Sequence, residues 1–149
     1  MANIEGLDEL LANLSGLGGN VKESARKGLE RGAKKIQRNA KLLTPVDTGN
    51  LRNSIKTNSK TTVEGAEAQI FTNCEYGAYV EFGTGQRGAS SHIEKPEGAN
   101  ISYNYRKMGQ KAQPYLSPAY LHAKNTGEVE QEVIKSIQQD IRKLESGKK

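Results

Sequence analysis

Apolar positions recur along this chain in two different periods, and the change of period marks its organisation. Leu7, Leu10, Leu11 and Leu14 step at helical spacing, which predicts a short amphipathic helix over residues 6–15, ended by the glycines of "SGLGGN". From Val21 to Leu43 the apolar set is Ala25, Leu29, Ala33, Ile36, Ala40 and Leu43. Its steps of four, four, three, four and three predict one long helix with a single buried face. On roughly the opposite side Lys27, Arg31, Lys34, Arg38 and Lys41 repeat the same steps as a basic ridge. Glu23–Lys27 and Glu30–Lys34 are spaced for ion pairs worth ~0.2–0.5 kcal/mol each.

The segment "TPVDTGNLRNSI", Thr44 to Ile55, breaks this pattern. Pro45 biases Thr44 away from helical dihedrals and so ends the helix. Asp47 or Thr48 can then offer a side-chain oxygen to the free amides of a new short turn over Gly49 to Asn53. From Ser54 the pattern turns β-like, with Ile55, Val63, Ala66, Ala68, Ile70 and Phe71, and it predicts a hairpin that reverses at "NSK", residues 58–60. "EYGAYVEFGTG" then sets Tyr76, Tyr79, Val80 and Phe82 close together, a short helix packing its aromatics inward and closed by Gly83 and Gly85.

Residues 86–113 form a long irregular stretch in which "NISYNYRKM" alternates Ile101, Tyr103 and Tyr105, the mark of a strand or hairpin arm. Loops of such length are uncommon in compact domains and are usually functional or ordered by a partner. "PYLSPAYLHA" restarts order, with Ser117 placed to cap and Pro118 suited to the first helical position. Ala119, Leu121, Val129, Val133, Ile137, Ile141 and Leu144 predict a long closing helix to about residue 144, interrupted near Gly127, with residues 145–149 as a frayed tail. The expected fold is α+β: an antiparallel sheet packed by a long basic N-terminal helix and a long C-terminal helix, with a projecting loop or hairpin arm.

Composition narrows what such a fold can do. The chain's 149 residues suit one domain, taken here as residues 1–149. Hydrophobic residues are 34%, aromatics 5%, and mean hydropathy is -0.74. The core must therefore be small, with much of the surface solvated or held by a partner, as in a subunit of an assembly. A formal charge of +5 permits an acidic partner without demanding one. Cys74 is the single cysteine, so neither an intrachain disulfide nor a thiolate metal site can form, and a buried spectator thiol is its ordinary role. No apolar run reaches the ~20 residues of a membrane span, and "MANIEGLDELLANL" lacks the charged-then-apolar order of a signal peptide, so a cytoplasmic site of synthesis is expected.

Catalytic chemistry finds no footing. His92 and His122 are thirty residues apart and make no two-histidine metal motif. No serine stands in a nucleophile elbow, and "GTGQRG" lacks the lysine and hydroxyl residue that end a phosphate-binding loop. The expectation is no enzyme, no cofactor and no metal. The basic ridge has more reach: five cations along one helix can track phosphates with steep salt dependence, although a charged stripe opposite an apolar one is ordinarily a solvated face. Glu128, Glu130 and Glu132 offer such a ridge an acidic partner on a neighbouring subunit.

"TPVDTGNLRNSI", "YGAYVEFGTG" and "PYLSPAY" before a long final helix, in this order after a basic amphipathic helix, resemble the neck or tail-completion proteins of long-tailed bacteriophages, over about residues 20–145. The resemblance implies a virion protein, made in the host bacterial cytoplasm, that forms a ring at the head-tail junction of a siphovirus. Its implied partners are further copies of itself in a hexameric ring, the head-closure or connector protein, and the tail-tube or tail-terminator protein. DNA would pass through the lumen without sequence-specific binding, and no membrane is involved. It also implies Pro45, Asp47, Thr48, Gly49, Leu51 and Ser54 as a helix-to-sheet hinge. Tyr76, Tyr79, Glu81, Phe82, Gly83 and Thr84 become a packed turn facing the next subunit, joined by Ile101, Tyr103 and Tyr105 on the arm. The alternative reading is a soluble nucleic-acid-binding protein using the basic helix 21–43.

Overall fold

The computed structural model describes residues 21–46, 49–91 and 101–147. The helix expected over residues 6–15, together with Asp47, Thr48, His92, Lys148 and Lys149, lies outside the described residues. Helix α1 (Val21–Leu43) is followed by the short α2 (Asn50–Ser54) and by strands β1 (Ile55–Thr61) and β2 (Ala66–Thr72). Then come α3 (Gly77–Phe82), α4 (Gly85–Ala89), α5 (Leu116–Thr126) and α6 (Glu128–Gly147). The two strands pair as an antiparallel sheet, so the fold is α+β with long helices near both ends. The chain divides into two compact units: residues to 34 with 57–69 and 126 onward, and residues 35–56 with 70–125.

In the first unit α1 meets α6 through small residues. Ser24, Gly28 and Gly32, spaced by four, are all buried, whereas Ala25 and Leu29 are only half-buried. Of the expected apolar face, Ala33, Ile36 and Ala40 are buried while Leu43 is 49% exposed. The expected face is thus buried from Ala33 to Ala40, while in the first half of the helix the buried positions are one residue earlier than the apolar steps predicted, because glycine permits a backbone approach that alanine and leucine do not. A Cβ on Gly28 would stand 2.4 Å from the Val133 Cα, and one on Gly32 would stand 3.0 Å from a Val129 methyl. Ile137 is buried, with Val21, Val133, Ile134 and Ile141 packed around it. The Ser24 hydroxyl donates to Asp140 on α6.

Beside this contact Arg26 binds Glu23 at 2.7 Å, Glu30 at 2.9 Å and the Ser59 hydroxyl of β1 at 2.8 Å. Its guanidinium holds the Glu23 carboxyl below the usual carboxylate range, and Lys34 together with Arg26 does the same for Glu30. Lys22 donates to the carbonyls of Thr62 and Val63.

The hairpin turns at residues 62–65, not at "NSK". Thr62 N–H donates to the Gly65 carbonyl at 2.8 Å, and Gly65 N–H donates to Thr62 Oγ1 at 3.0 Å. Residues 58–60 lie inside β1, where Ser59 meets Arg26 and Lys60 pairs with Glu67 across the strands at 2.8 Å. Polar residues made a strand interior look like a turn, and Val63 at the true tip is 93% exposed.

The second unit buries Ile36, Ala40, Leu51, Ile55, Tyr115, Ala119 and Ala123. Between α5 and α6 stands Gly127 with φ 68, the left-handed conformation that ends one helix and lets another begin, at the expected interruption. Glu128 and Glu130 in the first turn of α6 face the favourable end of its dipole. The helix continues to Gly147, beyond the expected end near residue 144.

Candidate functional site

All three stretches singled out in the sequence fall in the second unit and converge there. Helix α1 stops at Leu43, before Pro45, and buried Thr44 turns back to the Ala40 carbonyl through both its amide and its hydroxyl, at 3.0 and 2.6 Å. The N-cap of α2 is Gly49, left-handed with φ 82, so a residue without a side chain occupies the position expected of Asp47 or Thr48. Leu51 and Ile55 are buried. Gln37 on α1 donates to the Ile55 carbonyl at 2.6 Å, which ties the end of α1 to the start of β1. Ser54 donates to the Leu51 carbonyl at 2.7 Å and shares a hydrogen bond with Thr72 Oγ1 at 2.6 Å.

The second stretch packs directly on the first. Gly77 opens α3 against Leu51: a Cβ there would lie 3.2 Å from Leu51 Cδ1, 3.0 Å from the Tyr115 hydroxyl and 2.8 Å from Thr72 Cγ2. About one helical turn later, Glu81 is 3% exposed, and its carboxylate accepts three backbone N–H groups at 2.8–2.9 Å, from Tyr115, Leu116 and Ser117. These are the free donors at the start of α5, whose helical end favours a negative charge. The expected cap Ser117 lies inside the helix, which begins at Leu116, and Glu81 does the capping across 34 to 36 residues of sequence. No local pattern could have announced it.

Tyr115 completes the junction, fully buried and donating its hydroxyl to the Gly77 carbonyl at 3.0 Å. Burial first, then the charge of Glu81 and the nearby Cys74, hold its phenol well above the ordinary tyrosine value of 10.0. In the unfolded chain that phenol ionises near its ordinary value, while in the folded chain it stays neutral to higher pH. The stability it contributes is therefore complete below about pH 10 and is lost as pH rises from there toward the folded value. The expected result for Tyr115→Phe is a loss of about 1 kcal/mol at pH 8, from the hydroxyl bond, that shrinks toward zero by pH 11. Urea midpoints of both proteins at the two pH values check it; a gap that widens with pH would contradict the buried neutral phenol.

Residues after α4 fold back on the Gly83–Gly85 turn. Thr84 exchanges backbone hydrogen bonds with Gln110 at 2.8 and 3.0 Å, and Gln86 N–H donates to the Lys107 carbonyl at 3.0 Å. Gly109, with φ 66, passes so close to Thr84 that a Cβ would fall 1.9 Å from its carbonyl oxygen. The Tyr103 hydroxyl reaches the Phe82 carbonyl at 3.0 Å. The stretch holding Ile101, Tyr103 and Tyr105 thus takes the loop form and not the hairpin one. Among the described residues it pairs with no strand, and the chain that follows it offers the carbonyls of Lys107, Met108 and Gln110 to the amides of Gln86, Arg87 and Thr84.

Concavities open on this unit among the described residues. One, of about 460 Å³, is lined by Pro45, Val46, Leu51, Tyr76, Val80 and Gln113, so hinge and turn form its walls together. Another, of about 400 Å³, lies among Tyr79, Phe82, Gly83, Ile101, Ser102 and Lys107. Val46 is 62% exposed and Tyr79 59%, with Tyr76 and Tyr105 exposed as well. Glu81, Gly83 and Leu51 are buried, and Phe82, Thr84, Ile101, Tyr103, Pro45 and Ser54 are half-buried.

On α1, Lys27 approaches Asp140 at 3.9 Å, Arg31 donates to the Gln139 amide oxygen at 3.1 Å, and Lys34 pairs with Glu30 at 2.8 Å. Arg38 is exposed and Lys41 half-buried. Part of the ridge is therefore spent inside its own unit. Of the acidic cluster, Glu132 is buried and Glu130 exposed. No group of histidine, cysteine and acidic residues that could hold a metal occurs among the described residues, and no described helix is long and apolar enough to cross a membrane.

The family model described as "Bacteriophage HK97-gp10, putative tail-component" matches residues 8–83, just over half of the chain. The match runs through α1, the hinge, the hairpin and α3, and stops before α5 and α6. No curated protein and no solved structure matches the chain.

Proposed function

Because the chain belongs to the HK97-gp10-like family of bacteriophage tail components, a structural family of the virion, we propose that it forms a ring at the head-tail junction, joining the capsid connector to the tail tube. The observation that carries this reading is the convergence of the three stretches. A buried lock of Leu51, Gly77, Glu81 and Tyr115 sets the geometry, and it leaves Val46 and Tyr76 exposed at one concave surface and Tyr79 at another. Rigid scaffolding beneath exposed aromatics is the anatomy of a protein interface, where such side chains contribute large contact area.

In this reading the hinge of Pro45, Gly49, Leu51 and Ser54, with Asp47 and Thr48, fixes the angle between α1 and the strands. In a closed ring that angle repeats at every contact, so an error in it opens the ring. The ring is hexameric, its neighbours are a connector or head-closure protein and a tail-tube or terminator protein, and DNA passes through without sequence-specific contacts. The role needs no catalysis and no cofactor. The partly paired ridge favours this reading over duplex binding by α1, since cations already engaged by Asp140 and Glu30 release fewer counterions from phosphates.

Cryo-electron microscopy of purified virions tests it. The expected result is this chain as a symmetric ring between capsid and tail, with protein seated on Tyr76 and Tyr79. Density for the chain elsewhere in the tail, or none in the virion, would overturn the neck assignment.

A further inference from the structure

We infer that the loop packed on α4 is a phosphate-contacting surface, and that its partner is the backbone of duplex DNA. This rests on the ring reading, which brings DNA to the chain, and it names the element that the DNA meets there. The charge of the chain is unevenly divided. The first unit holds eleven lysines and arginines against twelve carboxylates and the second holds eleven against five, so the whole excess of cations belongs to the second. Within it, residues 82–127 carry six lysines and arginines against two carboxylates, Glu94 and Glu97, which lie outside the described residues. Glu81, the carboxylate just before that run, is buried and taken up by three amides.

Backbone hydrogen bonds gather four of those cations in one place. Arg87 N–H donates to the Met108 carbonyl and Gln86 N–H to the Lys107 carbonyl, both at 3.0 Å. Arg106 N–H donates to Asn104 Oδ1 at 3.1 Å, and the Gln86 side-chain amide donates to the Tyr105 carbonyl at 2.7 Å. Gln110, next to Lys111, is the residue that pairs with Thr84. Arg106, Lys107 and Lys111 are thereby held beside Arg87, and all four are exposed.

Pairing separates this loop from the ridge of α1. Lys27 and Lys34 on the ridge already face Asp140 and Glu30. Among the described residues no carboxylate pairs with Arg87, Arg106, Lys107 or Lys111. A cation without a carboxylate partner is the kind that displaces counterions from a phosphate, which is the source of sequence-independent binding. Exposed Ser102, Asn104 and Gln110 stand among the four, and such side chains accompany arginine and lysine at DNA phosphates. The core of a protein interface, by contrast, is depleted of charge and of lysine in particular.

The test is binding of the full-length chain to a short fluorescently labelled DNA duplex, read by anisotropy between about 50 and 200 mM salt. Each cation on a phosphate contributes about 0.9 to the fall of log affinity with log salt. Protein carrying Arg87→Gln, Arg106→Gln, Lys107→Gln and Lys111→Gln is expected to show a slope shallower by about 3 and binding at about 50 mM salt weaker by more than about tenfold. Arg87→Lys with Arg106→Lys keeps both, because charge alone is required, and circular dichroism checks that every variant is folded. No binding by the native chain, or a slope that the four glutamines leave unchanged, overturns the inference. So does an equal loss from Lys27→Gln, Arg31→Gln and Lys34→Gln on α1. Equal loss from Tyr105→Ala with Met108→Ala, the exposed apolar residues of the loop, overturns it too, since an anchor for protein then carries the binding. A ring at the head-tail junction without DNA binding would remove the DNA contact and leave the neck reading standing. Loop-dependent DNA binding with no such ring would retain the contact and remove the neck.

Discussion

Replacing Glu81 with alanine is expected to destabilise the protein by about 3–4 kcal/mol, a large share of the 5–15 kcal/mol typical of a folded chain. The carboxylate is the sole acceptor shown for three N–H groups at the start of α5, those of Tyr115, Leu116 and Ser117. Losing an ordinary helix cap costs about 1 kcal/mol. Here one donor is fully buried and two are partly so, and each buried donor left without an acceptor costs about 1–3 kcal/mol.

Glutamine separates the charge from the shape. Its single carbonyl oxygen can serve Tyr115 and Leu116, which share Oε2 in the native contact, but its amide then points a donor at the donor of Ser117. Glu81→Gln is therefore expected to cost about 1–2 kcal/mol, less than alanine and more than a surface change. Urea unfolding followed by far-ultraviolet circular dichroism reads both. If the two variants were equal, or both lay within about 0.5 kcal/mol of the native chain, Glu81 would not be the cap that holds α5 to α3.

Glu81 also shows where the sequence was readable and where it was not. The bounds of α1, the short helix holding Tyr79 and Phe82, and the break at Gly127 follow from periodicity, from a proline and from glycines, all signals local to a few residues. The cap on α5 depends on two segments more than thirty residues apart, so Ser117 took the role that Glu81 performs. The hairpin turn was misplaced for a related reason. Asn58, Ser59 and Lys60 have turn-like polarity, yet Arg26 and Glu67, remote in sequence, give two of them partners inside a strand. The three stretches were recognised singly from their residues, and their convergence was not, because Ser54–Thr72 and Gly77–Leu51 contacts leave no periodic trace.

The face of α1 was readable in principle. Glycine inside a helix costs about 1 kcal/mol relative to alanine, so Gly28 and Gly32, four apart in a long helix, demand a compensating reason. The reason is α6, and it leads to the second large effect. Gly28→Ala would be stabilising by about 1 kcal/mol on helix propensity alone. Its new methyl would instead lie 2.4 Å from the Val133 Cα and 2.9 Å from the Glu132 carbonyl oxygen, both backbone atoms that no rotamer change can move aside. The helices must part, loosening Val133 and Ile137 against Val21 and stretching the Ser24–Asp140 bond. Overpacking of this kind costs about 1–3 kcal/mol before the loosened contacts are counted. The net expectation is a loss of about 2 kcal/mol, read from urea midpoints. Gly32→Ala sets the scale, since its nearest neighbour is a Val129 methyl at 3.0 Å, with the Val129 Cα at 3.1 Å, and a valine side chain can yield by a few tenths of an ångström. That variant should fall within about 1 kcal/mol of the native chain, with the propensity gain offsetting the crowding. A Gly28→Ala protein as stable as the Gly32→Ala one would mean that backbone approach is not what selects glycine on this face.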